Sequence, residues 1–314
     1  MRLLFLGSPA PAVPFLEECV RSHEVAAVLT QPDRPCGRGL KDSAPPVKTA
    51  ALRLGIPVLQ PGRPEECAQE LRRMQADMAV VVAYGRMLDP DVLSCTRHGF
   101  LNVHFSLLPR WRGAAPVQWT LLGGDARAGV TLFWIDNGMD TGPMQRQAAE
   151  TVLAEDDACT LMERLTALGV RELREVLGEV ASGVVRRTPQ SGESTRAPKL
   201  DSSYARLAFD LSAQEFCARV RGLAAGPRPY LMLSTPKGPL RVKVLRAALD
   251  SPDAVGNSKG LLVRVERGRG VLVECRLGRV WIEEVQPEGK TAMSAVDFLN
   301  GLRIGIGGRL EIIP

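Results

Sequence analysis

The sequence predicts an α/β fold: a doubly wound, mostly parallel sheet in an N-terminal domain, plus a small antiparallel β-barrel, OB-like, in a C-terminal domain. In the first half of the chain, short apolar runs alternate with amphipathic stretches of helical length, a pattern typical of β-α-β units. In the second half, runs of alternating apolar and polar residues are separated by glycine-containing turns. The 314 residues suffice for two such domains at roughly 100 to 200 residues each.

The apolar runs of the first half predict five strands, at residues 3–6, 25–30, 78–83, 101–104 and 130–136. Stretches with helical periodicity lie between several of them, at residues 14–21, 47–54 and 65–74. A longer helical pattern follows Asp157, extends to about Ser182 and is expected to close this domain. Strands and helices that alternate in this way predict a sheet covered by helices.

The second half begins after a polar, turn-rich stretch without apolar periodicity, residues 186–203, which predicts a linker. Ser212 and Glu215 then have the spacing of a capping box, which predicts the start of a helix. Alternating patterns predict four strands, at residues 240–245, 262–265, 271–275 and 280–285. We therefore expect one domain over residues 1–185, a linker over 186–205 and the barrel over 206–314.

The net charge of +5 is distributed unevenly along the chain. Residues 1–190 carry 21 Lys and Arg against 22 Asp and Glu, a net charge of −1, whereas residues 191–314 carry 19 against 13, a net charge of +6. A basic C-terminal half suits an acidic partner such as nucleic acid, although a solvated basic surface has the same composition. Charge alone leaves both interpretations open.

Several functional classes are disfavoured by simple features of the sequence. The apolar run at the N-terminus stops at Gly7 and is too short for a signal or membrane segment. The seven cysteines are scattered without a CxxC pair, so neither a disulfide framework nor a metal site is indicated, and a cytoplasmic location fits best. The turn after the first strand, Gly7-Ser8-Pro9-Ala10, lacks the GxGxxG pattern, which makes a dinucleotide-dependent oxidoreductase the weakest option.

A candidate site for acid–base chemistry lies at the end of the fourth predicted strand. The chain has three histidines, and His104 is the one that follows an apolar strand together with a second polar residue, Asn102. The two-residue period of a strand puts both side chains on one face. Ligands of open α/β sheets bind at the carboxyl ends of strands, and Asp140, in the turn-rich loop after the fifth strand, could reach the same crevice.

These residues belong to a series of motifs that resembles the folate-dependent formyltransferases. The series is Asn-x-His-x-Ser-Leu-Leu-Pro from Asn102, Arg-Gly-Ala-x-Pro from Arg112, and Asp-x-Gly-x-Asp-Thr-Gly ending at Gly142. The resemblance implies that Asn102, His104 and Asp140 are catalytic. It also implies that 10-formyltetrahydrofolate is the formyl donor, bordered by the segment Ser106, Leu107, Leu108 and Pro109.

Such a site also makes chemical sense for formyl transfer without the family. Transfer from a folate nitrogen to an amine passes through a tetrahedral intermediate with a developing oxyanion. The Asn102 amide could donate to that oxygen, and His104 could carry a proton to the leaving nitrogen. Asp140 could orient the imidazole and help to accept the proton of the amine.

The acceptor is suggested by a long loop after the second strand. Residues 31–49 contain four prolines and a basic set that includes Arg34, Arg38, Lys41 and Lys48, and loops of this length are uncommon in compact domains unless functional or disordered. The loop is similar to the insertion of those family members that formylate methionyl initiator tRNA. This implies tRNA contacts at Arg34, Arg38, Lys41 and Lys199 and a tRNA-binding barrel. Separately, we expect the enzyme to be monomeric.

Two other functions stay open at this stage: formylation of a small nucleotide-linked amine, and RNA binding by a protein with a vestigial folate domain. The intact Asn102, His104 and Asp140 argue against the second. One departure from the family pattern concerns packing, because the position after the histidine is usually small there and is Phe105 here. A phenylalanine also disfavours a positive φ.

Overall fold

The computed structural model describes the backbone of residues 1–36, 41–236, 238–254 and 258–313. The chain divides into two compact units. The first unit comprises Met1–Pro116, Arg127–Thr151 and Met162–Pro198, and the second comprises Val117–Ala126, Val152–Leu161 and Lys199–Pro314. In the described ranges, no helix has both the length and the apolar character needed to cross a bilayer.

The first unit is built on a seven-stranded sheet with two short accessory pairs of strands. Its strands, in chain order, are β1 Arg2–Gly7, β2 Glu24–Leu29, β3 Arg34–Cys36, β4 Lys41–Ser43, β5 Val58–Leu59, β6 Met78–Val82, β7 Phe100–His104, β8 Arg112–Gly113, β9 Arg127–Trp134, β10 Met144–Thr151 and β11 Arg196–Ala197.

Helices connect most of these strands. The helices of the whole chain, in order, are α1 Val13–Ser22, α2 Pro46–Arg53, α3 Ala68–Arg73, α4 Pro90–Leu93, α5 Pro116–Leu122, α6 Ala158–Ala181, α7 Ala213–Gly222 and α8 Ala295–Leu302. Short 3-10 helices precede α1 at Ala10–Ala12 and α3 at Pro64–Cys67.

The main sheet has the order β10-β9-β7-β6-β1-β2-β5. The five strands from β7 to β5 pair in parallel, and β9 and β10 add an antiparallel edge. The central strands β1 and β6 are buried almost throughout, as expected for parallel strands covered on both faces. The predicted mostly parallel sheet is confirmed, and its strand order puts the carboxyl ends of β6 and β7 side by side.

The second unit contains an antiparallel sheet, as the sequence predicted. Its strands are β12 Tyr230–Thr235, β13 Gly238–Ser251, β14 Leu262–Glu266, β15 Gly270–Glu274, β16 Arg279–Pro287 and β17 Met293–Ser294. The order is β12-β13-β16-β15-β14, with β17 beside β16.

The two edges of this sheet are bridged by the last residues of the chain. The backbone N–H of Ser234 in β12 donates to Glu311, and the N–H of Leu262 in β14 donates to Gly308. One C-terminal segment thus forms hydrogen bonds with both edge strands and pairs part of their open backbone. The closed barrel stays a prediction. The capping box is confirmed at the start of α7, where Ser212 and Glu215 each accept from the other's backbone N–H.

The stretch expected to be a linker has extensive contacts in the first unit as far as Pro198. Thr188 and Met144 exchange two backbone hydrogen bonds, and β11 pairs in parallel with β8. At its start, the Arg186 side chain pairs with Glu179 at 2.7 Å, and this hydrogen bond lowers the pKa of the Glu179 carboxyl. Residues 186–198 are thus rich in turn formers and yet make regular backbone and side-chain contacts with the first unit. The domain boundaries at 185 and 205 stay a prediction.

Candidate active site

Asn102 and His104 lie in the C-terminal half of β7, the strand whose neighbours in the sheet are β6 and β9. Their neighbours Leu101 and Val103 are buried, and Asn102 itself is half-buried. Within the part of the chain that the structure describes, no residue forms a hydrogen bond with the Asn102 side-chain amide. This amide is therefore available to a ligand at the end of the sheet.

His104 is nearly buried, with 6% of its surface exposed, and it is held between two oxygen acceptors. Its Nε2 lies 2.9 Å from the carbonyl oxygen of Trp111, and its Nδ1 lies 3.7 Å from Oδ2 of Asp140. Since a carbonyl can only accept, Nε2 carries a proton in this contact. A ring protonated on both nitrogens can donate towards both neighbours. The structure thus brings together His104 and Asp140, two residues that the sequence assigned to one site.

Asp140 owes its position to an unusual backbone conformation and to two further contacts. Its φ is +54°, in the left-handed region that few non-glycine residues adopt. Its Oδ2 accepts a 2.8 Å hydrogen bond from the backbone N–H of Gly113. Its carbonyl accepts another, at 2.9 Å, from the side chain of Gln190. The carboxylate is therefore fixed beside His104 from two directions.

The second partner of His104, Trp111, also has a left-handed backbone, with φ of +62°. Its N–H donates to Oγ1 of Thr195 at 2.9 Å. The next N–H, that of Arg112, donates to the carbonyl of the same threonine. Residues 111–115 are thus paired with the segment that ends in β11.

The segment expected to border folate follows His104 directly. Ser106 and Leu108 are buried, while Leu107 and Pro109 are partly exposed. The hydroxyl of Thr131 in β9 fixes this segment, because it donates to the carbonyl of Ser106 at 2.7 Å and accepts from the N–H of Leu108 at 3.1 Å. Leu107 packs over Gly129, where a side chain would overlap it. Partly exposed apolar side chains on a rigid backbone suit a flat aromatic ligand such as the pterin of a folate.

Phe105, at which the sequence departs from the family pattern, packs against a second aromatic ring. It is buried and packs edge to face on Phe15 of α1, with ring centroids 6.1 Å apart. Phe15 in turn lies against Gly169 of α6, where a built Cβ would approach its ring to 2.8 Å. Glycine in α6 therefore leaves space for Phe15, the ring on which Phe105 packs. The positive φ values fall on Trp111 and Asp140 and not on Phe105.

The residues expected to contact tRNA are only partly covered by the structure. Arg34 is exposed in β3, which pairs antiparallel with β4. Arg38 and the side chain of Lys41 lie outside the described residues. Lys199 is exposed in the second unit.

Lys48, also in the basic set, forms a 2.7 Å ion pair with Asp33. Asp33 also accepts a hydrogen bond from Gln60, and these contacts lower the pKa of its carboxyl. Lys48 therefore already has an anionic partner within the protein. Of the two basic side chains of this loop that the structure describes, Arg34 and Lys48, Arg34 is the exposed one, and its exposure suits a phosphate contact.

Sequence reasoning missed three polar residues that support the site: Thr131, Gln190 and Thr195. Thr131 lies among apolar neighbours in β9 and is fully buried, which is a weak signal for a hydrogen-bonding role. Gln190 and Thr195 lie in the turn-rich stretch whose composition indicated a linker. No local pattern could identify them, because their contacts are with residues far away in the sequence.

This arrangement can support transfer of an acyl-type group. A free amide donor, a histidine with one nitrogen directed at a carboxylate, and a strand end that opens to ligands are the parts that such chemistry requires. Within the described residues, no group of three or more His, Cys, Asp or Glu could hold a metal ion.

Comparison with known proteins gives the same picture. A family model described as formyl transferase matches residues 1–177, and one described as formyl transferase, C-terminal domain, matches residues 199–303. Two curated relatives are the methionyl-tRNA formyltransferases of Myxococcus xanthus and Thermus thermophilus. Both are 40% identical, over 98% of this chain and 97% of the first, and over 99% of this chain and 99% of the second.

A solved structure with the same fold is HypX from Aquifex aeolicus in complex with tetrahydrofolic acid, with a TM-score of 0.65 and 17% identity. It matches 98% of this chain, which spans about half of HypX, 48% of its length. At that identity the likeness concerns the fold alone. The family models and the full-length relatives carry the assignment: the chain belongs to the formyl transferase family.

Proposed function

We propose that this protein transfers the formyl group of 10-formyltetrahydrofolate to the α-amino group of methionyl initiator tRNA, giving N-formylmethionyl-tRNA for translation initiation. The observation that carries the proposal is the position of His104 between the Trp111 carbonyl and the Asp140 carboxylate, two residues beyond Asn102 in the same strand. Membership of the formyl transferase family supports the reaction class. The names of the full-length relatives support the acceptor.

Asn102 is proposed to bind the formyl oxygen while negative charge develops on it. Its half-buried amide has no hydrogen-bond partner among the described residues, so donation to a substrate costs no internal contact. A single donor of this kind typically contributes about 10²–10³-fold to the rate. The formyl donor, when bound, supplies the one-carbon group.

His104 and Asp140 are proposed to manage the protons of the reaction. The attacking amine must lose a proton and the leaving nitrogen must gain one, and an imidazole can do both near neutral pH. Asp140 orients the ring through its Nδ1 side, since Oδ2 lies 3.7 Å from that nitrogen. It also stabilises positive charge on the ring as the proton passes.

Contacts to the donor are proposed for the segment from Ser106 to Pro109. Leu107 and Pro109 offer apolar surface, and the Thr131 hydroxyl keeps the backbone between them in one conformation. A preformed surface of this kind binds a rigid ring system with little loss of conformational entropy.

Contacts to tRNA are proposed for Arg34, Arg38, Lys41 and Lys199, and for the C-terminal half with its net charge of +6. Basic side chains bind phosphates without sequence preference, so affinity should fall with salt by roughly 0.7 of a log unit in binding constant per log unit of salt for each single-strand phosphate contacted. Because initiator tRNA is charged and used in the cytoplasm, we propose a cytoplasmic protein. We also propose that it acts as a monomer.

The decisive experiment is single-turnover transfer of labelled formyl by the purified full-length protein. Methionyl initiator tRNA should be formylated, whereas the same tRNA with an acetylated methionine, which lacks the free amine, should not. Glycinamide ribonucleotide serves as the small acceptor. No product with methionyl initiator tRNA, or equal kcat/KM for the small acceptor, would reject the proposal.

A further inference from the structure

A segment of the first unit that no sequence motif marked runs past both partners of His104. We call residues 188–197 the strap. Its first residue, Thr188, exchanges backbone hydrogen bonds with Met144, and its last two residues form β11 against β8. The strap is therefore held at both ends, and its middle carries Gln190 and Thr195.

The side-chain amide of Gln190 makes four hydrogen bonds, all to residues around Asp140. Its Nε2 donates to the carbonyls of Asp140 and Gly142, at 2.9 Å each. Its Oε1 accepts from Nε and Nη2 of Arg112, at 3.2 and 2.6 Å. Arg112 precedes Gly113, whose N–H binds the Asp140 carboxylate. One amide thus joins the Asp140 loop to the strand that fixes its carboxylate.

Thr195 performs the corresponding task on the other side of the imidazole. Its hydroxyl accepts from the N–H of Trp111, and its carbonyl accepts from the N–H of Arg112. The Trp111 carbonyl is the group that meets His104 Nε2. A shift of Thr195 would therefore move the acceptor on that nitrogen.

The residues that the strap holds have strained backbones. Asp140 and Trp111 both have positive φ, and non-glycine residues persist in that region only when their surroundings impose it. The strap forms a hydrogen bond with the backbone of each of these residues: Gln190 donates to the carbonyl of Asp140, and Thr195 accepts from the N–H of Trp111. Ordinary packing would not direct the contacts of one segment to the two strained residues that face His104, as the strap does.

We infer that Gln190 and Thr195 are positioning residues, which act through Asp140 and Trp111 to hold His104 in its catalytic orientation. The inference rests on the proposed function, because it concerns the rate of the same transfer. Neither side chain needs to touch a substrate. Their loss should lower kcat and leave the KM of both substrates within about twofold.

The first test replaces Gln190 by methionine, which has a similar volume and no amide. We expect kcat to fall by roughly 10- to 100-fold, since displacement of a catalytic group by about 1 Å can cost about 10²-fold. In an Asp140→Asn background the same change should cost less than about threefold, because a residue that acts through Asp140 is coupled to it. An equal loss in both backgrounds would overturn the inference for Gln190.

Gln145 provides a matched control. It is a buried glutamine whose amide also makes four hydrogen bonds, to Trp134, Arg186, Glu179 and Val184, none of which is a partner of His104. Gln145→Met should lower the thermal midpoint at least as much as Gln190→Met and keep kcat within about twofold. If the two variants lose kcat equally, stability explains the effect and positioning does not.

The second test uses Thr195, where a smaller change suffices. Thr195→Val keeps the shape but removes the acceptor of the Trp111 N–H, and Thr195→Ser keeps that acceptor. We expect a loss of kcat of about 10-fold in the valine variant and recovery to within about twofold in the serine variant. Equal activity of the two variants would overturn the inference for Thr195. If wild-type protein shows no transfer at all, the proposed function is wrong and the inference falls with it.

Discussion

The backbone N–H of Gly113 donates a 2.8 Å hydrogen bond to Oδ2 of Asp140, the same carboxylate oxygen that lies 3.7 Å from His104. Gly113 forms β8 with Arg112 and has φ of +127°. A Cβ built on Gly113 would lie 2.7 Å from the carbonyl oxygen of Ala197 in β11. The position of the carboxylate proposed to act in catalysis therefore depends on a residue that must lack a side chain.

Replacing Gly113 by alanine should damage activity more than stability. The Cβ would push β8 from β11 and move the N–H that fixes Asp140, so we expect kcat to fall by about 10²-fold. Stability should fall by roughly 1–3 kcal/mol because alanine is strained at this φ. Single-turnover rates and urea unfolding measure the two effects.

Gly55→Ala is the matched control for that variant. Gly55 also has a positive φ, +70°, but apart from its chain neighbours no described residue has an atom within 4 Å of its built Cβ. Alanine there should cost roughly 1–2 kcal/mol from the backbone alone and leave kcat unchanged. Equal kcat losses in the two variants would show that activity follows stability and does not depend on Asp140.

Removal of either proposed catalytic side chain of β7 should lower the rate without unfolding the protein. We expect Asn102→Ala to reduce the single-turnover rate by about 10²–10³-fold and His104→Ala by about 10²–10⁴-fold. His98→Ala, at a partly exposed histidine that precedes the same strand, should leave the rate unchanged. Full activity of His104→Ala would exclude the proposed proton transfer.

The Thr131 hydroxyl should matter for binding of the formyl donor. Thr131→Val removes the acceptor for the Leu108 N–H and the donor for the Ser106 carbonyl, both buried. We expect a loss of roughly 1–3 kcal/mol of unfolding free energy, and the KM for 10-formyltetrahydrofolate should rise. Thr131→Ser keeps the hydroxyl and should keep the KM. An unchanged KM in the valine variant would separate this segment from the folate.

Glu18 should make stability depend on pH. Its nearly buried carboxylate binds Arg174 and Arg21, and these hydrogen bonds lower its pKa below the ordinary value of 4.5. A lowered pKa means that the pair stabilises the fold above pH 4.5 and that this contribution disappears as the pH falls through the lowered pKa.

Glu18→Gln should therefore cost roughly 1–2 kcal/mol at pH 7, less than the roughly 3–5 kcal/mol of a fully buried pair, because Arg174 is half exposed. The difference in urea unfolding free energy between wild type and variant should shrink as the pH falls below 4.5, the ordinary pKa of a glutamate carboxyl. A difference that stays constant as the pH falls would show that the Glu18 charge does not contribute.

Much of the fold could be predicted because its signals are local. The runs that became β1, β2, β6, β7 and β9 are mainly apolar, and the capping box at Ser212 depends on two residues three positions apart. Strand β10 was missed because it lies at the edge of the sheet, and its sequence, Met-Gln-Arg-Gln-Ala-Ala-Glu-Thr, is largely polar. An edge strand has one unpaired side and needs fewer apolar residues.

The sequence by itself determined that Asn102 and His104 lie together at the end of a buried strand, because side chains two residues apart in a strand share a face whatever surrounds them. Only the tertiary structure decided which acceptors face each nitrogen of His104. Those acceptors depend on the left-handed backbones of Trp111 and Asp140 and on Gln190 and Thr195, far along the chain. Periodicity governs contacts within one segment, whereas contacts between distant segments are set by strand order, register and turn geometry, which no local pattern specifies.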